Sequence, residues 1–217
     1  MEEIFFEVLT NEQQEILPNF VFLREYNFYL AGGTALALQI KHRTSIDFDF
    51  YTNKNFYPLS IYEKLQKCNS KKFLLSTIRD DDTLIVEINN IIVSFFYYPY
   101  KIIGNILKSQ YLDLASIEDI AAMKVIAIIQ RGAKRDFIDM YFLIKKLGLE
   151  NIFKIAKEKY PGFNEYLALQ SLTYFEDAEA ESDLRDIKLL KSFDWIEVKK
   201  YFLQESERIL ENWRQNK

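Results

Sequence analysis

The stretch Leu30-Ala31-Gly32-Gly33-Thr34-Ala35-Leu36-Ala37-Leu38-Gln39-Ile40-Lys41-His42-Arg43-Thr44-Ser45-Ile46-Asp47-Phe48-Asp49-Phe50 decides the reading of the chain. Phe28 to Leu30 are apolar and end a strand expected over residues 27–31. Gly32 and Gly33 then permit a sharp turn that brings backbone N–H groups close to a ligand. Thr34 is expected to cap the following helix, whose apolar positions run through Leu36, Leu38 and Ile40. A helix that opens at a glycine turn presents free N–H groups and a positive dipole end, which suits a phosphate. Beyond a basic loop, Ile46-Asp47-Phe48-Asp49-Phe50-Tyr51 alternates apolar and acidic side chains, the period of a half-buried strand. Asp47 and Asp49 then share a face, with Cα atoms roughly 7 Å apart. Two carboxylates aimed the same way form a cradle for hard divalent cations. A phosphate turn beside a metal cradle points to phosphoryl or nucleotidyl chemistry.

Working outward, 217 residues are enough for one sizeable core or two small lobes. A hydrophobic fraction of 49% and an aromatic fraction of 16% place the chain among folded proteins. No apolar run approaches the roughly 18 to 20 residues of a membrane helix. The start, Met1-Glu2-Glu3-Ile4, lacks the basic opening of a signal peptide, so a cytoplasmic protein is expected. The one cysteine, Cys68, excludes an internal disulfide framework, and the one histidine, His42, excludes a cysteine/histidine zinc cage. The net charge of −4 argues against a generic nucleic-acid coat, while leaving room for one local basic patch.

In chain order, residues 3–17 read as a helix ended by Pro18, with another short helix over 19–25. A helix over about 59–68 follows Pro58 and puts Ile61, Leu65 and Cys68 on one side, with Cys68 a small core residue. Phe73–Ile78, Thr83–Ile88 and Ile91–Tyr97 read as strands, the last two joined by an Asn89-Asn90 hairpin turn. That register sets Glu87 opposite Ile92, with Ser94 on the same face. Asp80-Asp81-Asp82 reads as a solvated turn. Ser116-x-x-Asp119 reads as a helix start with a capping arrangement, followed by a helix over 117–130 stopped at Gly132. Further helices are expected over about 134–147, 150–159, 163–172, 183–191 and 194–214. The division expected is an α/β lobe over 1–112 and a helical bundle over 113–217.

A second constellation lies in the helical part. Lys124, Ile128 and Arg131 form one stripe, and Lys134-Arg135-Asp136-Phe137-Ile138-Asp139 puts Asp136 and Asp139 on one helix face. These charges read either as a solvated surface set, Arg135 with Asp139 included, or as part of a site. His42 and Arg43 sit between the phosphate turn and the metal strand. There Arg43 would stabilise charge on a transferring phosphate, and His42 would hydrogen-bond within the loop.

The ordered run Gly-Gly-Thr-Ala-Leu, then His-Arg-x-Ser-x-Asp-Phe-Asp-Phe, together with the later Lys…Arg-Asp-x-x-Asp, resembles the AbiEii/AbiGii-type nucleotidyltransferase toxins of the polymerase-β-like superfamily. The likeness spans residues 30–50 and about 116–143. It implies an α+β fold: a polymerase-β-like nucleotidyltransferase lobe with a small mixed sheet, then a C-terminal helical bundle completing a nucleotide cleft. It implies Mg²⁺ or Mn²⁺ on Asp47 and Asp49, with a nucleoside triphosphate held by Gly32, Gly33, Thr34 and Arg43. Lys124 would contact nucleotide phosphates, and Arg135, Asp136 and Asp139 would build the site across from the Asp-x-Asp strand. Catalysis would rest on Asp47, Asp49, Lys124 and Asp136. It further implies an RNA acceptor, tRNA included, or a protein acceptor, and a cognate antitoxin. One departure stands out: polymerase-β-like enzymes carry a third carboxylate where this chain has Ser94, and Glu87 is the nearest substitute. Transfer to a small molecule, a nucleotide-binding relative without catalysis and a metal-dependent nuclease are the other readings.

Overall fold

The computed structural model describes residues 3–68, 73–79, 83–180 and 187–215. It divides into two compact units, Met1–Ser116 with Asp186–Lys188, and Ile117–Arg185 with Leu189–Lys217. The fold is α+β, a mixed sheet in the first unit and helices in the second.

The first unit opens differently from the sequence expectation. Instead of one helix over 3–17, a 3₁₀ turn at Phe6–Val8 is followed by α1 (Asn11–Ile16). Thr10 and Gln13 restart the chain with a reciprocal capping box, each side chain bonded to the other's backbone N–H. Pro18 does not end this segment, because it lies in the first turn of a 3₁₀ stretch, Leu17–Tyr26, where its missing N–H is not needed. β1 (Tyr29–Leu30), α2 (Gly32–Ile40), β2 (Phe48–Thr52) and α3 (Pro58–Cys68) follow. Cys68 is exposed, which corrects its reading as a core residue. The buried side of α3 runs through Pro58, Ile61 and Leu65 and stops short of the last turn.

β3 (Phe73–Arg79), β4 (Thr83–Ile88), β5 (Ile91–Tyr97), β6 (Leu107–Lys108) and β7 (Asp113–Leu114) complete a sheet of order β3-β4-β5-β2-β1-β7-β6. β2 runs parallel to β5 and β1 parallel to β7, while the other neighbours are antiparallel. One sheet face is mainly apolar: Phe48, Phe50, Val93, Phe95, Leu84, Val86 and Ile88 are at most 2% exposed. Phe20 packs edge-on to Phe48 and Phe50, and Phe28 bridges Phe95 and Phe56. The opposite face carries Asp49, Ser94 and Ile85 in one row, because Asp49 pairs with Ser94 and Ser94 with Ile85. Asp80-Asp81-Asp82 lies outside the described residues.

The second unit consists of α4 (Ile117–Arg131), α5 (Lys134–Leu147), α6 (Leu149–Lys159), α7 (Glu165–Ser171), α8 (Glu176–Ala180) and α9 (Trp195–Gln215). Gly132 and Gly148, at φ +54° and +77°, end α4 and α5 where the sequence places the stops. Phe137 anchors its core among Phe175, Trp195 and Phe202. The helix expected over 183–191 is not formed in its described part. Residues 187–190 are non-helical, and Lys188 exchanges hydrogen bonds with Thr44, its carbonyl accepting from the Thr44 N–H at 2.8 Å.

The hairpin between β4 and β5 gives a direct check. Asn89 and Asn90 take φ +53° and +65°, a two-residue turn in which both residues are left-handed. Asn89→Ala/Asn90→Ala is expected to lower stability by about 1–2 kcal/mol per residue, whereas Asn90→Gly leaves it unchanged or higher. The urea unfolding midpoint measures both.

Candidate functional site

The strand–turn–helix β1–α2 is fastened directly to β2. The Ala31 N–H donates to the Asp49 carbonyl at 3.0 Å, which sets the glycine turn beside the Asp49 side chain. Gly32 adopts φ +67°, and a Cβ built there would stand 3.2 Å from Asp49 Oδ2. At Gly33 a Cβ would stand 2.1 Å from Arg43 Nη2, so only glycine leaves room for the guanidinium. Arg43 is 2% exposed, and its Nη1 donates to the Thr44 carbonyl at 2.9 Å. A buried guanidinium and a carboxylate thus stand against adjacent residues of one turn. The N–H groups of Gly32, Gly33 and Thr34 open α2 at the same point and lack helical partners.

Thr34 does not cap α2. The helix begins at Gly32 with Ala31 at the cap and no side-chain cap bond. The Thr34 hydroxyl instead donates to the Asp47 carbonyl and lies 2.7 Å from Ser45 Oγ. It therefore holds the segment leading into β2. Asp47 precedes the strand, Asp49 lies within it, and both are half-buried. His42 is fully buried in the same loop.

Gly32, Gly33, Thr34, Arg43, Asp47 and Asp49 are thus brought together in the first unit. Ser94 occupies the β5 position directly opposite Asp49, and among the described residues no group of three or more His, Cys, Asp or Glu gathers. Glu87 pairs with Ile92, not Ser94, and stands diagonally from Ser94, a Cα separation of about 7–8 Å.

The second unit gathers its own charges. Lys124 Nζ lies 2.7 Å from Asp136 Oδ1 and 2.6 Å from Asp139 Oδ2. Arg131 adds two hydrogen bonds to Asp136, at 2.7 and 3.1 Å. Both carboxylates are fully buried and Lys124 is 5% exposed, so this set is not a solvated surface pair. Burial alone would push the Asp136 carboxyl up, but Lys124 and Arg131 outweigh it and hold it below the usual carboxylate range. Arg135 is half-buried and joins none of these pairs. It is one residue, about 100° around the helix, from Asp136, and the arginine that meets Asp136 is Arg131, across the Gly132 turn.

Sequence reading missed a further buried pair. Lys159 Nζ lies 2.6 Å from Asp119 Oδ1, with both side chains at most 1% exposed. Asp119 reads locally as a capping residue, and nothing in local periodicity couples it to a lysine on α6.

Residues 99–193 match the family model described as "Nucleotidyl transferase AbiEii toxin, Type IV TA system". The Aquifex aeolicus (strain VF5) protein aq_aa25 is 40% identical over 211 residues, covering 94% of this chain and 98% of its own. Among solved structures, JHP933 from Helicobacter pylori is similar in fold, with a TM-score of 0.60 at 17% identity, covering 99% of this chain and 96% of its own. A mixed sheet with a glycine turn packed on the Asp-x-Asp segment, followed by helices, agrees with the family match in defining a nucleotidyltransferase. The chain belongs to the AbiEii nucleotidyltransferase toxin family. Among the described residues, no helix is long and apolar enough to cross a membrane.

Two consequences are measurable. Gly33→Ala drives a methyl into the Arg43 guanidinium and is expected to reduce nucleotide transfer on the order of a hundredfold, with the circular dichroism spectrum unchanged. Asp136→Asn leaves Lys124 buried beside fewer negative charges and is expected to cost about 3–5 kcal/mol. Because the folded Asp136 carboxyl titrates below the roughly 3.9 of an unfolded aspartate, its contribution is whole above that pH. It is lost as the pH falls through the folded pKa. Urea unfolding from pH 7 downward should therefore show a shallower acid limb in the variant.

Proposed function

We propose that the chain transfers a nucleotide from a nucleoside triphosphate to an RNA acceptor, tRNA included, or to a protein, as the toxin of a toxin–antitoxin or phage-defence pair with a cognate antitoxin. The observation that carries the reading is the meeting of the glycine turn, the buried Arg43 guanidinium and the Asp49 carboxylate at one point of the first unit.

The half-buried Asp47 and Asp49 carboxylates offer hard oxygen donors of the kind Mg²⁺ or Mn²⁺ takes, so the residues present fit a divalent cation. A cation bound there would supply charge neutralisation at the reacting phosphate. The open N–H groups of Gly32, Gly33 and Thr34 receive phosphate oxygens, helped by the dipole of α2. Arg43, fixed behind the turn, offsets charge developing on the phosphate as the bond to the leaving pyrophosphate lengthens. Thr34 and Ser45 keep the Asp47 segment in place through the Asp47 carbonyl. In the second unit, Lys124, Asp136 and Asp139 make a buried, charge-paired cluster that the more exposed Arg131 closes from outside, which supports a role in holding α4 against α5. Arg135, half-buried and outside that cluster, is a helical cation available to a ligand.

Ser94 favours a second reading, a nucleotide-binding relative without catalysis. The hydroxyl sits where the third carboxylate would stand beside Asp49, and Glu87 is a diagonal away. Incubation with each α-³²P triphosphate, Mg²⁺ and total RNA or lysate separates the two. Transfer of label that disappears in Asp47→Ala/Asp49→Ala supports the enzyme. Label persisting in that double variant would contradict the assignment of the aspartates. Mg²⁺-dependent nucleotide binding with no label on any acceptor would favour the second reading.

A further inference from the structure

The sheet face that carries Asp49 also carries a row of aromatic rings that the proposed chemistry does not use. Tyr51 follows Asp49 by two residues on β2 and Phe96 follows Ser94 by two on β5, so all four point to one side. Tyr51 and Phe96 are register partners, and Tyr29 of β1 is the partner of Tyr51 on its other flank. The rings are in contact along and across the row. The centroids are 6.3 Å apart for Tyr29–Tyr51, 5.3 Å for Tyr51–Phe96, 5.3 Å for Tyr51–Tyr98 and 4.8 Å for Tyr98–Tyr100.

Tyr29 is buried and anchors the row, whereas the phenylalanine core lies on the other face under Phe20, Phe28 and Phe56. Tyr51, Phe96, Tyr98 and Tyr100 are each half-buried, fixed at one edge and open at another. The exposed cations Lys54 and Lys101 follow Thr52 and Tyr100, where the chain leaves these two parallel strands.

We propose that this row is a stacking platform for the unpaired bases at the end of an acceptor RNA strand. The inference rests on the nucleotidyl-transfer reading given above. Three observations favour an acceptor strand as the occupant. The row begins one residue pair, roughly 7 Å, from Asp49, so a strand lying on it ends at the carboxylates. It continues through Tyr98 to Tyr100, a longer run of rings than the single base of a triphosphate covers. Finally, with a net charge of −4 the chain is poorly suited to binding RNA through its phosphates alone. Stacking supplies affinity without basic surface, and it tolerates sequence because every base has a π face. The two lysines then steer the backbone and add a small salt dependence.

The test uses the full chain and a short, unstructured, fluorescein-labelled RNA oligonucleotide followed by anisotropy, with no triphosphate present. Tyr51→Leu and Phe96→Leu are each expected to weaken binding about fivefold or more, while Tyr51→Trp keeps it. The same RNA as a blunt duplex should bind more weakly than the single strand. Tyr98→Leu, outside the strands, carries the same expectation and serves if a strand variant loses its fold. Binding is expected to persist in Asp47→Ala/Asp49→Ala, so the platform is read independently of transfer activity. Leu variants that bind the oligonucleotide like the parent would overturn the proposal, as would a parent that binds no oligonucleotide. Parallel loss of affinity for free triphosphate and oligonucleotide in the Leu variants would also overturn it, because the rings would then form a pocket for the triphosphate's own base.

Discussion

The first unit depends on how closely backbone and charge approach each other at Gly32 and Gly33. A guanidinium with almost no exposure is costly to bury unless its donors are met. Here Arg43 donates to the Thr44 carbonyl, among its interactions, and fits against Gly33 at a distance no side chain would tolerate. Asp49 fills the corresponding position at Gly32. The bond from Ala31 to the Asp49 carbonyl and the bond from Thr34 to the Asp47 carbonyl fasten the turn to both aspartates. The glycines, the basic loop and the Asp-x-Asp strand are therefore one packed object. A change at any of them displaces the others.

The helical unit is organised around buried charge of a different kind. Lys124 against Asp136 and Asp139, and Lys159 against Asp119, satisfy one another inside a helix core otherwise built on Phe137, Phe175 and Phe202, while Arg131 reaches Asp136 from the surface. Such pairs add little stability over apolar residues of similar size, yet are strongly destabilising when one member is removed. The sheet shows a comparable division of labour. One face is spent on phenylalanine packing, and that leaves the other for Asp49, Ser94 and the tyrosine row.

Local rules carried much of this into view from the sequence. The alternation through Phe48, Asp49 and Phe50, the Asn89-Asn90 turn and the stops at Gly132 and Gly148 each follow from backbone chemistry that acts over a few residues, and each has its counterpart in the structure, although Asp47, expected on the same strand, precedes it. What escaped was decided by distant partners. Thr34 has the composition of a cap, but the Asp47 carbonyl offered its hydroxyl a better acceptor than the helix end. Arg131 and not Arg135 meets Asp136, because the Gly132 turn folds α5 back on α4. The burial of Arg43 depends on the empty space above Gly33, which no local pattern announces, and residues 187–190 gave up a helical pattern where Lys188 bonds with Thr44. The register sets Ser94 directly opposite Asp49, at the position where the family resemblance led to the expectation of a carboxylate.

The most direct test is a crystal structure of the protein soaked with Mn²⁺ and a non-hydrolysable nucleoside triphosphate, read by anomalous scattering. The account predicts manganese bound directly by the Asp47 and Asp49 carboxylates, with phosphate oxygens on the N–H groups of Gly32 to Thr34 and Arg43 still behind the turn. Manganese and triphosphate bound elsewhere, with both aspartates unliganded, would contradict it.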